Sequence, residues 1–455
     1  MPRAALTGWG NTSPGVAEVR RTTATRLPHV LHEHGPRGAL LRGLGRSYGD
    51  AAQNSGGTVW ELDDSVHGMV LDRRAGTVTV GAGVSFDDLL GEIVPQGFFV
   101  PVTPGTRFVT VGGAIASDIH GKNHHRDGSL GEFVASITLL LADGAVTTVS
   151  PEADADLHWA TIGGVGLTGA ILAATLRLIP ITSSQVSVDT IRCAGLDELM
   201  AEMAANDATR RYSVAWLDPL ATGRHLGRSV LTNADHAAAS DLRGPARHDP
   251  LAYRGSMLAE LPPLVPPAGV INRLTVKLFN ELWYRKAPAR REGELQSIPA
   301  FFHPLDAVGR WNRVYGRRGM IQFQFVVPGD RDDVIRAVVS ALAGHGTPSF
   351  LAVLKRMGAA DPSPLGFPQP GWTLALDVPA GSPGLAELLH GFDDVILDAG
   401  GRHYFAKDAH TVPKAIRRGY PRLAEWQAVQ RRADPHGIWQ SDMSRRLGLT
   451  ERSPR

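Results

Sequence analysis

The run Val109–His125, VTVGGAIASDIHGKNHH, constrains this chain more than any other stretch. The β-branched residues Val109–Val111 signal the end of a strand. Gly112 and Gly113 then remove side chains where something must approach the backbone closely. Ala114, Ala116 and Ser117 keep the next turn small, and His120, Lys122, Asn123, His124 and His125 fall within six residues. Bare main chain beside crowded donors suits a large polar cofactor on one side and a reacting substrate on the other. Taken alone, the run is explained equally well by a glycine-rich turn with solvated histidines.

Two further glycine clusters shift that balance. A short strand at Ala39–Arg42 leads into Gly43-Leu44-Gly45-Arg46-Ser47-Tyr48-Gly49-Asp50, and Gly163-Gly164-Val165-Gly166-Leu167-Thr168-Gly169 feeds a strand at Ala170–Ile179. The N–H groups of such loops can face an anion such as pyrophosphate. The first loop lacks G-x-G-x-x-G spacing, and the AAQNSGG after it has no apolar helical face. A Rossmann site is therefore not expected, and Asp63 is discounted as its ribose-binding acid. An elongated ligand touched by several loops explains three clusters among short strands better than turns do.

At 455 residues the chain predicts two domains. Its 43% hydrophobic and 20% charged residues are those of a globular protein, and a net charge of +2 argues against nucleic acid as a partner. Cys193 is the only cysteine, which excludes an intramolecular disulfide and a cysteine-based metal site. The N-terminal MPRAALTGWG has no apolar h-region, and no run reaches about 20 apolar residues, so neither a secretory signal nor a span is expected.

Ser85 and Asp88 form a capping box that opens a helix through Ile93. The texture changes near Ser184. Leu196, Leu199, Met200 and Met203 mark an amphipathic helix, and Arg211–Leu217 a strand. Thr232–Val270 shows no period and reads as a long mobile loop or lid or, equally well, as a disordered insertion without function. In the strand Met320–Val327, Ile321, Phe323, Phe325 and Val327 face one side, while Gln322 and Gln324 face the other, where they could meet solvent or line a sugar pocket. Asp332–Leu342 is helical, and Phe350–Arg356 and Gly371–Val378 are strands. Lys355 shares a face with Leu351 and Val353, an odd place for a charge unless it snorkels or has a partner. The order predicts an α+β fold whose second part is an antiparallel sheet with helices on one face.

GLGRSYGD, PGTRFVTVGGAIASDIHGKNHH, GGVGLTG and the C-terminal DPHGIWQSDMSRRL together resemble FAD flavoproteins of the vanillyl-alcohol-oxidase/p-cresol-methylhydroxylase type. With ELWYRK at Glu281–Lys286, FFHPLD at Phe301–Asp306, WNRVYG at Trp311–Gly316 and AKD at Ala406–Asp408, nearly the whole chain is similar to one branch. That branch comprises the oxidase components of decaprenylphosphoryl-β-D-ribose 2′-epimerases of the actinobacterial cell wall.

The resemblance implies an FAD-binding domain at 1–183, completed by 402–455, and a substrate domain at 184–401. It places FAD against Leu41, Arg42, Gly43, Leu44, Gly45, Arg46, Ser47, Tyr48, Gly49, Asp50 and Ala51. Gly105, Thr110, Val111, Gly112, Gly113, Ser117, Asp118, Ile119, His120, Ile171 and Tyr404 complete the contacts. The first loop carries Tyr48 and no flavin-linking histidine, so the FAD is expected to be non-covalent. Lys407, His120, Gln322, Gln324 and Lys355 would line the substrate pocket, with Lys122 and Tyr48 close by. The implied reaction oxidises the ribose 2′-hydroxyl of a polyprenyl-phosphoryl ribose to a ketone, either Lys407 or His120 taking the hydroxyl proton. A separate NAD(P)H-dependent reductase would complete the epimerisation to the arabinose form. A lipid substrate implies peripheral membrane contact, and the family works on the periplasmic side of the envelope.

Each residue also has a plainer reading. Lys407 beside Asp408 could be a surface ion pair. His120, His124 and His125 could bind metal, but Lys122 between them would repel a cation, so none is expected. An oxygen-using alditol or aldonolactone oxidase, and a flavin-binding or lipid-phosphate-binding protein without turnover, are the competing functions.

Overall fold

The computed structural model describes residues 3–63, 68–255, 257, 259–262, 266–267 and 269–450. Two bodies of sheet organise it. In the first, strands Arg3–Leu6, Gly15–Thr22, Thr58–Leu62 and Ala39–Arg42 form a four-stranded sheet whose last two pairings are parallel. Next to it, a five-stranded antiparallel sheet runs in the order Met69–Asp72, Thr77–Gly81, Ala170–Arg177, Val134–Leu140, Val146–Val149. The helix Phe86–Ile93 packs on this body. It starts where Ser85 Oγ accepts from the Asp88 N–H at 3.1 Å, and the chain turns away at Gly97 with φ +84°.

The second body is an eight-stranded antiparallel sheet. Its order is Arg290–Ser297, Gln185–Cys193, Ser229–His236, Tyr212–Leu217, Ala352–Met357, Gly371–Pro379, Met320–Pro328, Arg402–His403. Strand alternation gives it two unlike faces. Phe323, Phe325, Val327, Leu354, Leu374 and Leu376 are buried on one face, beneath helices Leu196–Asn206, Asp332–His345 and Leu385–Asp398. Each such side chain contributes about 1.5–3 kcal/mol on leaving water. The other face is held in register by Gln322 opposite Asp377, Gln324 opposite Ala375 and Lys355 opposite Thr373.

After Arg402 the chain returns to the first body. The Trp426 indole N–H donates to the Ala160 carbonyl at 2.9 Å, and Ala39 exchanges backbone hydrogen bonds with Ile438 and Gln440.

Two expectations fail here. Val109–Val111 does not end a strand: Thr110 caps the helix Val111–Ala116, its hydroxyl accepting from the Gly113 N–H at 3.2 Å. That cap and the burial of Val111 and Ile115 override β propensity. Nor is Thr232–Val270 aperiodic throughout. Thr232–His236 completes a central strand, with Ala234 paired to both Val188 and Tyr212. Its polar TNADH sequence hides a period that its neighbours enforce. Farther on, Ala259–Glu260 pairs in parallel with Val308–Gly309.

Candidate active site

Between the two bodies lies a cavity of about 1440 Å³, larger than an ordinary small-molecule pocket of ~300–1,000 Å³ and roomy enough for a dinucleotide beside a substrate. One wall is main chain. Gly43, Gly45, Gly105, Gly112, Gly113, Gly166 and Gly169 all line it, so all three glycine clusters meet there. A Cβ at Gly43 would stand 2.2 Å from Thr110 Oγ1, and one at Gly112 would stand 2.9 Å from Ala82 Cβ. A Cβ at Gly105 would meet no protein atom within 4 Å, which leaves that space to a ligand. Arg46 reaches this wall with its guanidinium 3.9 Å over the Trp9 ring.

The facing wall is made of side chains. Gln322, Gln324, Lys355 and Ala375 project from the unlike face of the eight-stranded sheet, Lys407 from the returning segment, and His120 and Lys122 from the central run. As placed, the Gln324 amide donates to His120 Nε2 at 2.9 Å and to Thr373 Oγ1 at 3.1 Å, leaving His120 Nδ1 buried without a partner. The Gln322 amide donates to Asp377 Oδ1, and Gln322 Oε1 has no partner. The Tyr404 hydroxyl donates to the Ser117 carbonyl at 2.7 Å, which holds its ring 4.9 Å from that of His120.

The three lysines are half-buried, and all line the cavity. None forms an ion pair within 4 Å among the described residues. Lys407 Nζ sits 4.0 Å over the Tyr48 ring, Lys122 Nζ 4.1 Å over the Phe301 ring while donating to the Phe301 carbonyl, and Lys355 Nζ donates to the Gly121 carbonyl at 3.4 Å. Desolvation, then the neighbouring Lys355, brings Lys122 down to about 7; desolvation, then Lys407, does the same to Lys355. Burial lowers Lys407 against the pull of Asp377, whose own carboxyl burial raises. Burial and then Lys355 hold His120 well below the ordinary imidazole range, so it is neutral. The site is a set of cationic or near-neutral amines waiting for an acceptor-rich ligand.

Most of the residues singled out in the sequence meet here. Leu41, Arg42, Leu44, Ser47, Tyr48, Ala51, Thr110, Ser117, Ile119, Ile171 and Tyr404 line the cavity with those named above. Gly49, Asp50, Val111 and Asp118 do not. Gly49 packs on the Asp408 carbonyl, Asp50 pairs with Arg446, Val111 is in the core, and Asp118 accepts from the Gly131 N–H. Lys407 is no surface partner of Asp408: Asp408 binds Arg446 at 2.9 Å. Nor do the histidines converge, since His124 Nδ1 accepts from the Gly358 N–H and His125 Nε2 meets the Arg210 carbonyl.

Sequence reasoning missed Asp377, although the alternation that exposed Lys355 also puts an acid on the Ala375 face of an apolar strand. It discounted Asp63, which lines the cavity without any Rossmann geometry. It had no local signal for Trp9, Trp216, Phe279, Trp283 and Trp311, which line the cavity from four separate segments.

Residues 32–150 match the family model described as an FAD binding domain. Over 450 residues the chain is 42% identical to decaprenylphosphoryl-β-D-ribose oxidase of Mycolicibacterium smegmatis, covering 98% of this chain and 97% of that protein. It is 38% identical over 366 residues to an uncharacterised protein of Streptomyces coelicolor, 78% of this chain and 98% of the relative. An alditol oxidase of a Streptomyces species is 28% identical over 179 residues, 39% of this chain and 42% of its own. The glycine-lined wall, the open space at Gly105 and the unpartnered His120 Nδ1 fit FAD, whose pyrophosphate and ring edge need main-chain approach and polar donors. The protein is an FAD-dependent oxidoreductase of α+β fold, and it belongs to the decaprenylphosphoryl-β-D-ribose oxidase family of FAD-binding oxidases.

Proposed function

We propose that the chain oxidises the 2′-hydroxyl of a polyprenyl-phosphoryl β-D-ribose to the 2′-ketone, as the printed name of its Mycolicibacterium relative suggests. FAD, when bound, supplies the two-electron acceptor for the hydrogen on that carbon. Residues 1–183 with 402–455 form the flavin half and 184–401 the substrate half. The cofactor is held without a covalent bond, because the first glycine loop offers Tyr48 and no histidine. The observation that carries the reading is the trio Lys122, Lys355 and Lys407, half-buried on one cavity wall with no ion pair within 4 Å among the described residues. A substrate phosphate and sugar hydroxyls would satisfy them.

In this reading Lys122 and Lys355 bind the phosphate, and Gln322 and Gln324 each use amide groups to fix the sugar hydroxyls. Lys407 takes the hydroxyl proton. Its lowered pKa keeps part of it as free amine near neutral pH, whereas His120 is a weaker base. His120, braced by Gln324, orients the ribose. A separate NAD(P)H-dependent reductase then reduces the ketone from the other face. The substrate is a lipid, so the reaction belongs at the envelope, where family members work on the periplasmic side.

Anaerobic mixing with a short-chain prenyl-phosphoryl ribose tests this. Loss of the yellow absorbance together with a product two mass units lighter is the expected result. Unchanged absorbance, or bleaching by small polyols alone, would sink the assignment. Acid precipitation should leave the yellow colour in the supernatant.

A further inference from the structure

The helix Arg273–Lys286 is built inside out. Leu274, Leu278 and Leu282 are 77%, 60% and 61% exposed on successive turns. At ~100° per residue they form one stripe, opposite Val276 and Asn280, the two buried residues of the helix. The body-facing side is held by polar contacts. The Asn280 amide donates to Asp218 Oδ1 at 2.7 Å, Glu281 binds Arg228 at 2.7 Å, and the Tyr284 ring lies 4.7 Å under the Arg228 guanidinium. A helix facing only water would turn its leucines inward, so the outward stripe marks a surface that something apolar covers.

We infer that this helix is the face by which the enzyme lies on an anionic lipid bilayer. Two observations choose that occupant. Arg273, Lys277, Arg285 and Lys286 flank the stripe against one acid, Glu281, which Arg228 and Arg285 already engage. That charge attracts anionic headgroups and would repel a second copy of the same face. Phe279, 41% exposed and about 60° round the helix from Leu282, lines the cavity with Trp283 and Lys286 of the same helix. The stripe and part of the cavity lining thus belong to one helix, which brings the active site close to the surface where a prenyl tail would be held. The functional meaning of that closeness rests on the substrate reading above; the docking itself does not.

Flotation of the flavin-loaded full chain with vesicles of equimolar phosphatidylcholine and phosphatidylglycerol tests the inference. Wild type should float, and less so in high salt or with pure phosphatidylcholine. The triple variant Leu274→Ser/Leu278→Ser/Leu282→Ser should bind at least about tenfold more weakly. It should retain flavin and unchanged kcat/KM on a water-soluble short-prenyl substrate. Lys277→Glu, an exposed change that threatens no packing, should weaken flotation on the anionic vesicles. Failure of wild type to float, or equal flotation of the triple variant, would overturn the inference. So would a wild-type dimer that the triple variant disperses without any vesicle binding. Flotation without oxidation of any prenyl-phosphoryl sugar would remove the substrate reading and leave the docking surface standing.

Discussion

The two walls of the cavity solve recognition by opposite means. The first body presents main chain: glycines that cannot grow a side chain without striking Thr110 or Ala82, and a helix start pinned by Thr110. The second presents Gln322, Gln324 and Lys355 on strands locked in register, with Lys407 arriving from the returning segment. A backbone wall fixes shape and is indifferent to most of its own side chains. A side-chain wall fixes chemistry and can be altered one group at a time. Substitutions on the first wall should therefore change whether flavin stays, and substitutions on the second should change what the bound flavin can do.

The largest effect should come from Lys407→Met. If the amine takes the hydroxyl proton, the rate of flavin reduction by substrate falls by about a thousandfold, while flavin content stays at the wild-type ratio. A variant that loses flavin instead would place Lys407 on the wrong wall. Arg446→Met comes next. Arg446 binds Asp50 at 2.7 Å and Asp408 at 2.9 Å. Burial alone would raise Asp408, but Arg446 above all holds it down to about 2. Removing the guanidinium strands that buried carboxylate, at a cost of about 3 kcal/mol. Thermal denaturation should show a clear drop in Tm, with weaker flavin retention because Asp50 belongs to the first glycine loop.

Gly43→Ala sharpens the same contrast. Its Cβ must displace Thr110, costing about 1–3 kcal/mol. Flavin titration of the apoprotein should show reduced affinity, and KM for substrate measured at saturating flavin should not move. The smallest effect is a pH trend that runs in opposite directions for ligand and fold. Lys122 and Lys355 titrate near 7 in the folded chain against 10.5 for an ordinary lysine. Between those values the unfolded chain binds more protons, so this contribution to stability grows as pH rises through the window. Below about 7 both states are charged and the burial penalty is complete. Phosphate binding needs the charged amines, so substrate affinity should weaken over the pH range in which the ligand-free protein gains stability. Tm and KM measured from pH 6 to 9 report the two trends; parallel movement would remove both lysines from the phosphate site.

The walls also differed in how well the sequence exposed them. Period-two alternation was enough to put Gln322 and Gln324 on a face apart from Phe323 and Phe325, because a strand in a one-sided core leaves no other register. The same rule marked Lys355 and, had it been applied to GWTLALDV, would have marked Asp377. The glycine wall was legible as clusters but not as shape. Nothing local shows that Thr110 would cap a helix rather than end a strand, since a side chain satisfying Gly113 outweighs β propensity only once Val111 has a core to enter. Of the aromatic lining, Tyr48 and Tyr404 were marked by the resemblance, but the indoles and Phe279 were not placed in the site. Trp216, Phe279, Trp283 and Trp311 come together through sheet order and a helix whose polar side faces inward, the reverse of the pattern that periodicity arguments assume.

The tie from Arg446 to Asp50 carries a consequence for biosynthesis. Asp50, at the end of the loop Gly43–Asp50, leaves the ribosome 396 residues ahead of its brace, Arg446. A nascent chain can pair Ala39–Arg42 with Thr58–Leu62 early, but it cannot brace the flavin loop before Arg446 has emerged. Firm capture of the prosthetic group is thereby deferred to the synthesis of the returning segment, and fragments that stop short of Arg446 should hold flavin weakly.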